Sequence, residues 1–163
     1  MVREFSISAG GQTVVGANTL IAVNTPLPSN FNIEFLRFWV GQSANATSAQ
    51  QRIELATKSS AFPTLTSSTP ISLKLADANA SVITGATTGA VATCGINAST
   101  EGAGTQVVTW DDAFNVLNGW LHVPTPPETR IYPAGYGHSL ELYFPVSPAT
   151  LTNWAYGLVY REV

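Results

Sequence analysis

The residues that could do chemistry are few, and their spacing is poor for it. Asp111 and Asp112 set two carboxylates side by side, and with Asn115 and Asn118 they could ligate calcium. The Asp-x-Asp-x-Asp-Gly loop that wraps calcium is absent, so Asp111 reads instead as the cap of one short helical turn, with Asp112 near its positive end. Were the pair in a strand, they would point to opposite faces, which argues against a two-carboxylate glycosidase. His122 and His138 could join Glu141 around a metal, but a metal centre of that kind in a β-sandwich uses two histidines two residues apart. Both are read as structural. Cys94 is the single cysteine, which excludes an internal disulfide and a cysteine-based metal cluster. Its small neighbours mark it as a packing residue rather than a reactive thiol. There is no Gly-x-Ser-x-Gly elbow, and the glycines at 102, 104, 135 and 137 lack the lysine of a phosphate loop. The expectation is a chain with no enzymatic activity and no cofactor.

Aromatic side chains offer a different chemistry. Stacking against sugar rings would fall to Trp120, Tyr132, Tyr136 and Tyr143, whereas protein contact would fall to Phe38, Trp39, Trp110 and Trp120. Three of the four tryptophans and both histidines lie within 105–163, so the rest of the chain must fold onto that third.

The elements that would carry these residues are short strands. Residues 2–8 alternate, with Arg3, Phe5 and Ile7 on one side, and predict an edge strand that Gly10-Gly11 ends in a turn. Residues 18–25 form another strand, stopped by Pro26 and Pro28. Phe31 to Val40 is the strongest strand signal of the first half: Phe31, Ile33, Phe35 and Trp39 share a face that only Arg37 breaks, and Leu36, Phe38 and Val40 fill the other. Gln51 to Lys58 places Ile53 and Leu55 inward, with Arg52, Glu54 and Lys58 away from them. Residues 59–104 are rich in Ala, Ser, Thr and Gly and read as an excursion of short strands and loops reaching over a neighbouring subunit. After a strand at 105–110, the short helical turn competes with a hairpin at Asn118-Gly119. Trp120–Val123, Arg130–Tyr132, His138–Phe144 and Leu151–Val163 complete the series. In the last, Trp154, Tyr156, Leu158 and Tyr160 put all the bulk on one side. The sum is an all-β, single-domain, jelly-roll-like antiparallel sandwich over 1–163, with long loops or arms and at most one short helical turn.

Composition narrows the partners. Only 10% of the 163 residues are charged, against about 25% in an ordinary globular protein. So few charges leave sheet edges poorly defended, which suits a subunit covered by neighbours. A net charge of −3 without a basic run predicts neither nucleic acid nor a membrane surface as partner. No secretory leader and no apolar run of about 20 residues is visible. The Asn45, Asn79 and Asn97 triplets, which match the glycosylation pattern, then follow from the Ala/Ser/Thr/Asn bias.

An N-terminal alternating strand, the run Asp-Asp-Ala-Phe-Asn-Val-Leu-Asn-Gly-Trp-Leu-His-Val-Pro-Thr-Pro at 111–126, and Leu-Thr-Asn-Trp-Ala-Tyr-Gly-Leu-Val-Tyr-Arg-Glu at 151–162 together resemble the small jelly-roll structural proteins of tailed bacteriophages. Among these the chain is most similar to capsid decoration, or cement, proteins, from whose minimal form it departs in the long section 59–104. The resemblance implies a homotrimer on the capsid exterior of the virion, made in the bacterial host cytoplasm, that clamps the major capsid protein. Phe38, Trp39, Trp110 and Trp120 are the expected contact residues, with the N-terminal strand and 59–104 as arms. The alternative is a carbohydrate-binding module or receptor-binding head domain of a phage fibre.

Overall fold

The computed structural model describes residues 3–24, 32–44, 47–74, 81, 83–85, 93–133 and 137–163. Among these residues thirteen strands run in chain order: β1 (Arg3–Gln12), β2 (Thr19–Asn24), β3 (Ile33–Gln42), β4 (Gln50–Ser59), β5 (Thr64–Ser67), β6 (Ile71–Ser72), β7 (Thr84–Gly85), β8 (Thr93–Thr100), β9 (Thr105–Asn115), β10 (Trp120–His122), β11 (Arg130–Tyr132), β12 (His138–Tyr143) and β13 (Trp154–Glu162). The front sheet has the order β10-β3-β13-β1-β6, with β11 also on β3, and the back sheet has the order β5-β8-β2-β12-β4-β9, with β7 beside β8. Without β5 to β8, each sheet interleaves early and late strands, β3-β13-β1 in front and β2-β12-β4-β9 behind. That interleaving is the double Greek key of a jelly roll. The insertion between β4 and β9 supplies the extra strands.

Alternation explains the core. Phe5 and Ile7 of β1, Ile21 and Val23 of β2, Ile53 and Leu55 of β4, Leu140 and Leu142 of β12, and Trp154, Tyr156, Leu158 and Tyr160 of β13 all point between the sheets and are buried. Rings pack edge to face as their quadrupoles favour: Phe35 on Tyr132 at 5.3 Å and Phe144 on Trp154 at 4.9 Å between centroids.

Strand β3 departs from the predicted faces, and a bulge is the cause. Its pairing with β13 steps from Val159↔Arg37 to Tyr160↔Phe35, leaving Leu36 without an opposite number. One extra residue reverses inside and outside. Ile33 and Phe35 therefore face the core before the bulge, Phe38 and Val40 face it afterwards, and Arg37 does not interrupt it. Trp39 ends on the outer face, where the Arg37 guanidinium sits 5.6 Å from its ring centroid.

Other expectations are corrected. Gly10-Gly11 does not turn the chain: β1 continues to Gln12 through a bulge at which Gly11 takes φ +64°. β1 is not an arm, since it pairs with β13 from Arg3 to Gln12. Asp111 caps no helix, because β9 runs straight through it and pairs with β4 from Gln50↔Asn115 to Ser59↔Thr105. Local capping preference loses there to ten cross-strand pairs. No hairpin forms at Asn118-Gly119 either: β9 belongs to the back sheet and β10 to the front, so residues 116–119 carry the chain around the edge. Asn115 Oδ1 accepts from the Leu117 N–H, and Gly119 makes the exit at φ +69°. Among the described residues the one helical element is a 3₁₀ turn at Pro126–Glu128, where Thr125 and Glu128 form a capping box.

Among its described residues, section 59–104 folds onto its own sandwich. β8 enters the back sheet beside β2, and Leu65 and Ala98 pack on Ala22 against that sheet's outer face. Lys58 consequently points away from the core, as alternation requires, yet is only 2% exposed. Its Nζ donates to the Glu101 carbonyl oxygen at 2.5 Å and lies 3.6 Å from the fully buried Glu141 carboxylate. Ser139 Oγ donates to Glu141 Oε1 at 2.8 Å.

Cys94 is buried in β8, with its thiol directed at the Ser68 carbonyl oxygen 2.7 Å away. Burial pushes the thiol up to about 12. A chromogenic disulfide reagent is therefore expected to titrate no thiol in the folded protein near neutral pH and one per chain in denaturant. Prompt reaction of the native protein would contradict this burial.

Candidate functional site at the open edge of the sandwich

One edge of the sandwich is unlike the rest. β9 borders the back sheet there, and β10 and β11 border the front sheet. From Thr105 to Ala113, β9 is exposed or half-buried on both faces, although alternating residues point inward. The opposing strands β10 and β11 have three residues each, too short to close over it.

Beside the exposed Thr105, Thr109, Asp111 and Asp112, solvent reaches many apolar side chains along this edge. Val107, Val108 and Trp110 of β9, Leu117 of the crossing turn, Leu121 and Val123 at β10, and Ile131 of β11 are all exposed, Leu121 to 64%. They are seven of the thirteen large apolar side chains exposed among the described residues. Scattered single hydrophobics need no explanation; these lie along one edge, on more than one face of it, Val108 on the outer side of the back sheet and Leu121 beside Trp39 on the outer side of the front sheet.

Aromatic packing stiffens the centre of the edge. His122 stacks on Trp120 at 5.6 Å with the rings 6° from parallel, and meets Trp110 at 4.7 Å and Phe38 at 6.1 Å. The Trp120 indole N–H donates to Asp112 Oδ2 at 3.0 Å, which fixes the ring across the gap between sheets. Burial lowers the His122 pKa, and Arg130 lowers it further. The imidazole is therefore neutral near pH 7 and acts as an aromatic plate.

No family model, curated protein or solved structure matches this chain. The edge must be read from its own geometry.

Beside the aromatic cluster the sheets part into a cleft of about 470 Å³ lined by Thr57, Ser59, Thr105, Val107, Thr109, Arg130, Ile131, Tyr132 and His138. Arg130 Nη2 donates to the Thr109 carbonyl oxygen at 3.2 Å, bridging β11 to β9. On the outer face of β9, Arg52 grips Asp111 through Nε–H to Oδ1 at 2.8 Å and Nη2–H to Oδ2 at 2.6 Å. That fork holds the Asp111 carboxyl below its usual range. Asp111 and Asp112 thus serve opposite faces of the strand, the first with Arg52 and the second with Trp120. Among the described residues no three His, Cys, Asp or Glu side chains gather to hold a metal.

The expected contact residues are only partly brought together. Trp110, Trp120 and Phe38 meet around His122, but Phe38 is buried and serves as the floor, while Trp39 lies on the outer face of the front sheet. Trp39 instead borders a shallow depression with Arg37 and Leu121. The four residues of the sugar-stacking alternative share no platform. Tyr132 is buried against Phe35, Tyr143 lies in the back sheet paired opposite Glu54, and Tyr136 falls outside the described residues. Sequence reasoning missed Val107, Val108, Leu121, Ile131 and Arg130. The usable signal was Val107-Val108: two adjacent apolar residues in a strand cannot both face one core.

Proposed function

We propose that this chain is a non-enzymatic structural subunit of a tailed-bacteriophage virion, a decoration protein that assembles as a homotrimer on the capsid exterior. Its partners are its own copies and the major capsid protein. The observation that carries the reading is the exposed apolar edge formed by β9, β10 and β11, with its seven large side chains. An edge strand with both faces accessible associates with protein, because its main-chain groups and apolar side chains are satisfied together by another chain. The sequence resemblance to cement proteins supplies the kind of partner. Such a protein stabilises by mass action, binding the finished shell better than its precursor; at a free concentration 100 times Kd this amounts to about 2.7 kcal/mol per site.

Light scattering on the purified protein is expected to give three times the chain mass of 17.2 kDa. Mixing with bare phage shells should coat them and raise their melting temperature. The double variant Leu121→Asp/Ile131→Asp is expected to keep its circular dichroism spectrum and lose both properties. A monomer that leaves shells unchanged would sink the reading.

A further inference from the structure

The cleft beside the aromatic cluster carries chemistry that an apolar contact edge does not need. We propose that it is a binding site for an acidic saccharide of the uronic-acid type, whose carboxylate is held by Arg130 and whose hydroxyls meet the threonine and serine wall.

Arg130 is the first reason. Its guanidinium is half-buried, and its one hydrogen bond among the described residues goes to a carbonyl oxygen, that of Thr109. Among the described residues no carboxylate forms an ion pair with it, although Glu128 acts on it electrostatically. Glu128, two residues earlier, is committed to Thr125, whose backbone N–H and hydroxyl both donate to its Oε2. A planar five-donor cation that has lost part of its water and, among the described residues, holds no carboxylate in its fork is a seat for a carboxylate taken in bidentate fashion.

The wall is the second reason. Thr57 and Ser59 of β4 and Thr105 of β9 line the cleft with hydroxyls that make no side-chain hydrogen bond among the described residues. Hydroxyls both donate and accept, which suits a polyol better than an acidic peptide side chain. Val107, which pairs opposite Thr57 on the cleft side of β9 and is more than half exposed, offers apolar surface to the C–H face of a sugar ring. At about 470 Å³ the cleft lies within the range of roughly 300–1,000 Å³ usual for small-ligand sites.

The test is calorimetric titration of the full chain with trigalacturonate and with the uncharged galactose trisaccharide. The expected result is binding of the acidic sugar at least about tenfold tighter than the neutral one, since a charge-assisted fork is lost with the carboxylate. Arg130→Gln should weaken the acidic sugar about tenfold or more, and Arg130→Lys, which keeps the charge but not the fork, should weaken it nearly as much. Thr105→Val, on the exposed rim, should weaken it several-fold with an unchanged melting temperature. No heat with trigalacturonate at millimolar concentration, or equal affinity in the Arg130 variants, overturns the proposal. So does a result in which no sugar binds and Arg130→Gln instead alters trimer formation or shell binding. That outcome would assign the arginine to protein contact and leave the decoration reading standing.

Discussion

Gly157→Ala is expected to destabilise the fold by about 3 kcal/mol, the upper end of the usual cost of overpacking. Gly157 lies mid-way along β13, the strand between β3 and β1, opposite Trp39 on one side and Ser8 on the other. A Cβ at this position would overlap Cζ2 of Trp39 and sit 2.6 Å from the Ile7 carbonyl oxygen. The indole lies across the glycine, so the ring and the strand backbone would both have to move. Urea denaturation of the variant measures the loss. Trp39→Ala in the same chain should return part of it, because the ring contact disappears while the Ile7 contact remains. A Gly157→Ala protein within about 0.5 kcal/mol of the parent, the span of an ordinary surface substitution, would mean that Trp39 does not cover β13 in solution.

Lys58→Met is expected to cost about 3–5 kcal/mol, the range for breaking a buried ion pair from one side. The loss should depend on pH, and its sign follows from Glu141. Burial raises the Glu141 pKa above the ordinary carboxylate value, whereas Ser139 and Lys58 oppose the rise. A carboxyl with a raised folded-state pKa holds its proton more tightly when folded. Its contribution is fully present below the unfolded pKa of about 4.3 and is lost as pH climbs through the folded value. Removing Lys58 raises that value further, so the variant should lose stability between pH 4 and 8 more steeply than the parent. The gap between the two is then smaller at pH 4 than at pH 8. Adding Glu141→Gln to Lys58→Met should flatten the slope. A gap that is the same at both pH values would show that Glu141 is not the group responsible.

Alternation made most of the jelly roll readable in the sequence. β13 could be assigned residue by residue because Trp154, Tyr156, Leu158 and Tyr160 are large and their neighbours are mostly small. β3 was located correctly but its faces were not, since nothing in Phe35-Leu-Arg-Phe38 announces that Leu36 bulges; only the partner strand reveals it. At Asp111-Asp112, capping preference pointed to a helix, and pairing with β4 overrode it. Residues 59–104 misled through composition: among the described residues of this stretch Ile83 and Ile96 pack with the main core, Ile71 and Leu73 stay exposed, and Leu65 and Ala98 form a small second cluster with Ala22. The candidate site was half readable. Aromatic content drew attention to Trp110 and Trp120, but Arg130 and the hydroxyls of Thr57 and Thr105 belong to three strands that only the closed fold brings together.

The interleaving of early and late strands also governs how the molecule comes into being. β2 and β4 flank β12, and β1 and β3 flank β13, so the middle of each sheet is filled by a strand that begins 79 residues or more after its neighbours end. Neighbours in the chain do not close hairpins; β1 with β2, β3 with β4 and β9 with β10 each sit in opposite sheets. A growing chain can pair β2 and β5 with β8, and β4 with β9, once Asn115 is made, but β12 and β13, the strands that join the rest of each sheet, come only from its last quarter. Folding then proceeds late, with high contact order and correspondingly slow kinetics. Through that interval the apolar strands wait uncovered, so yield in a host cell should respond more to temperature and holding chaperones than the stability of the finished protein would suggest.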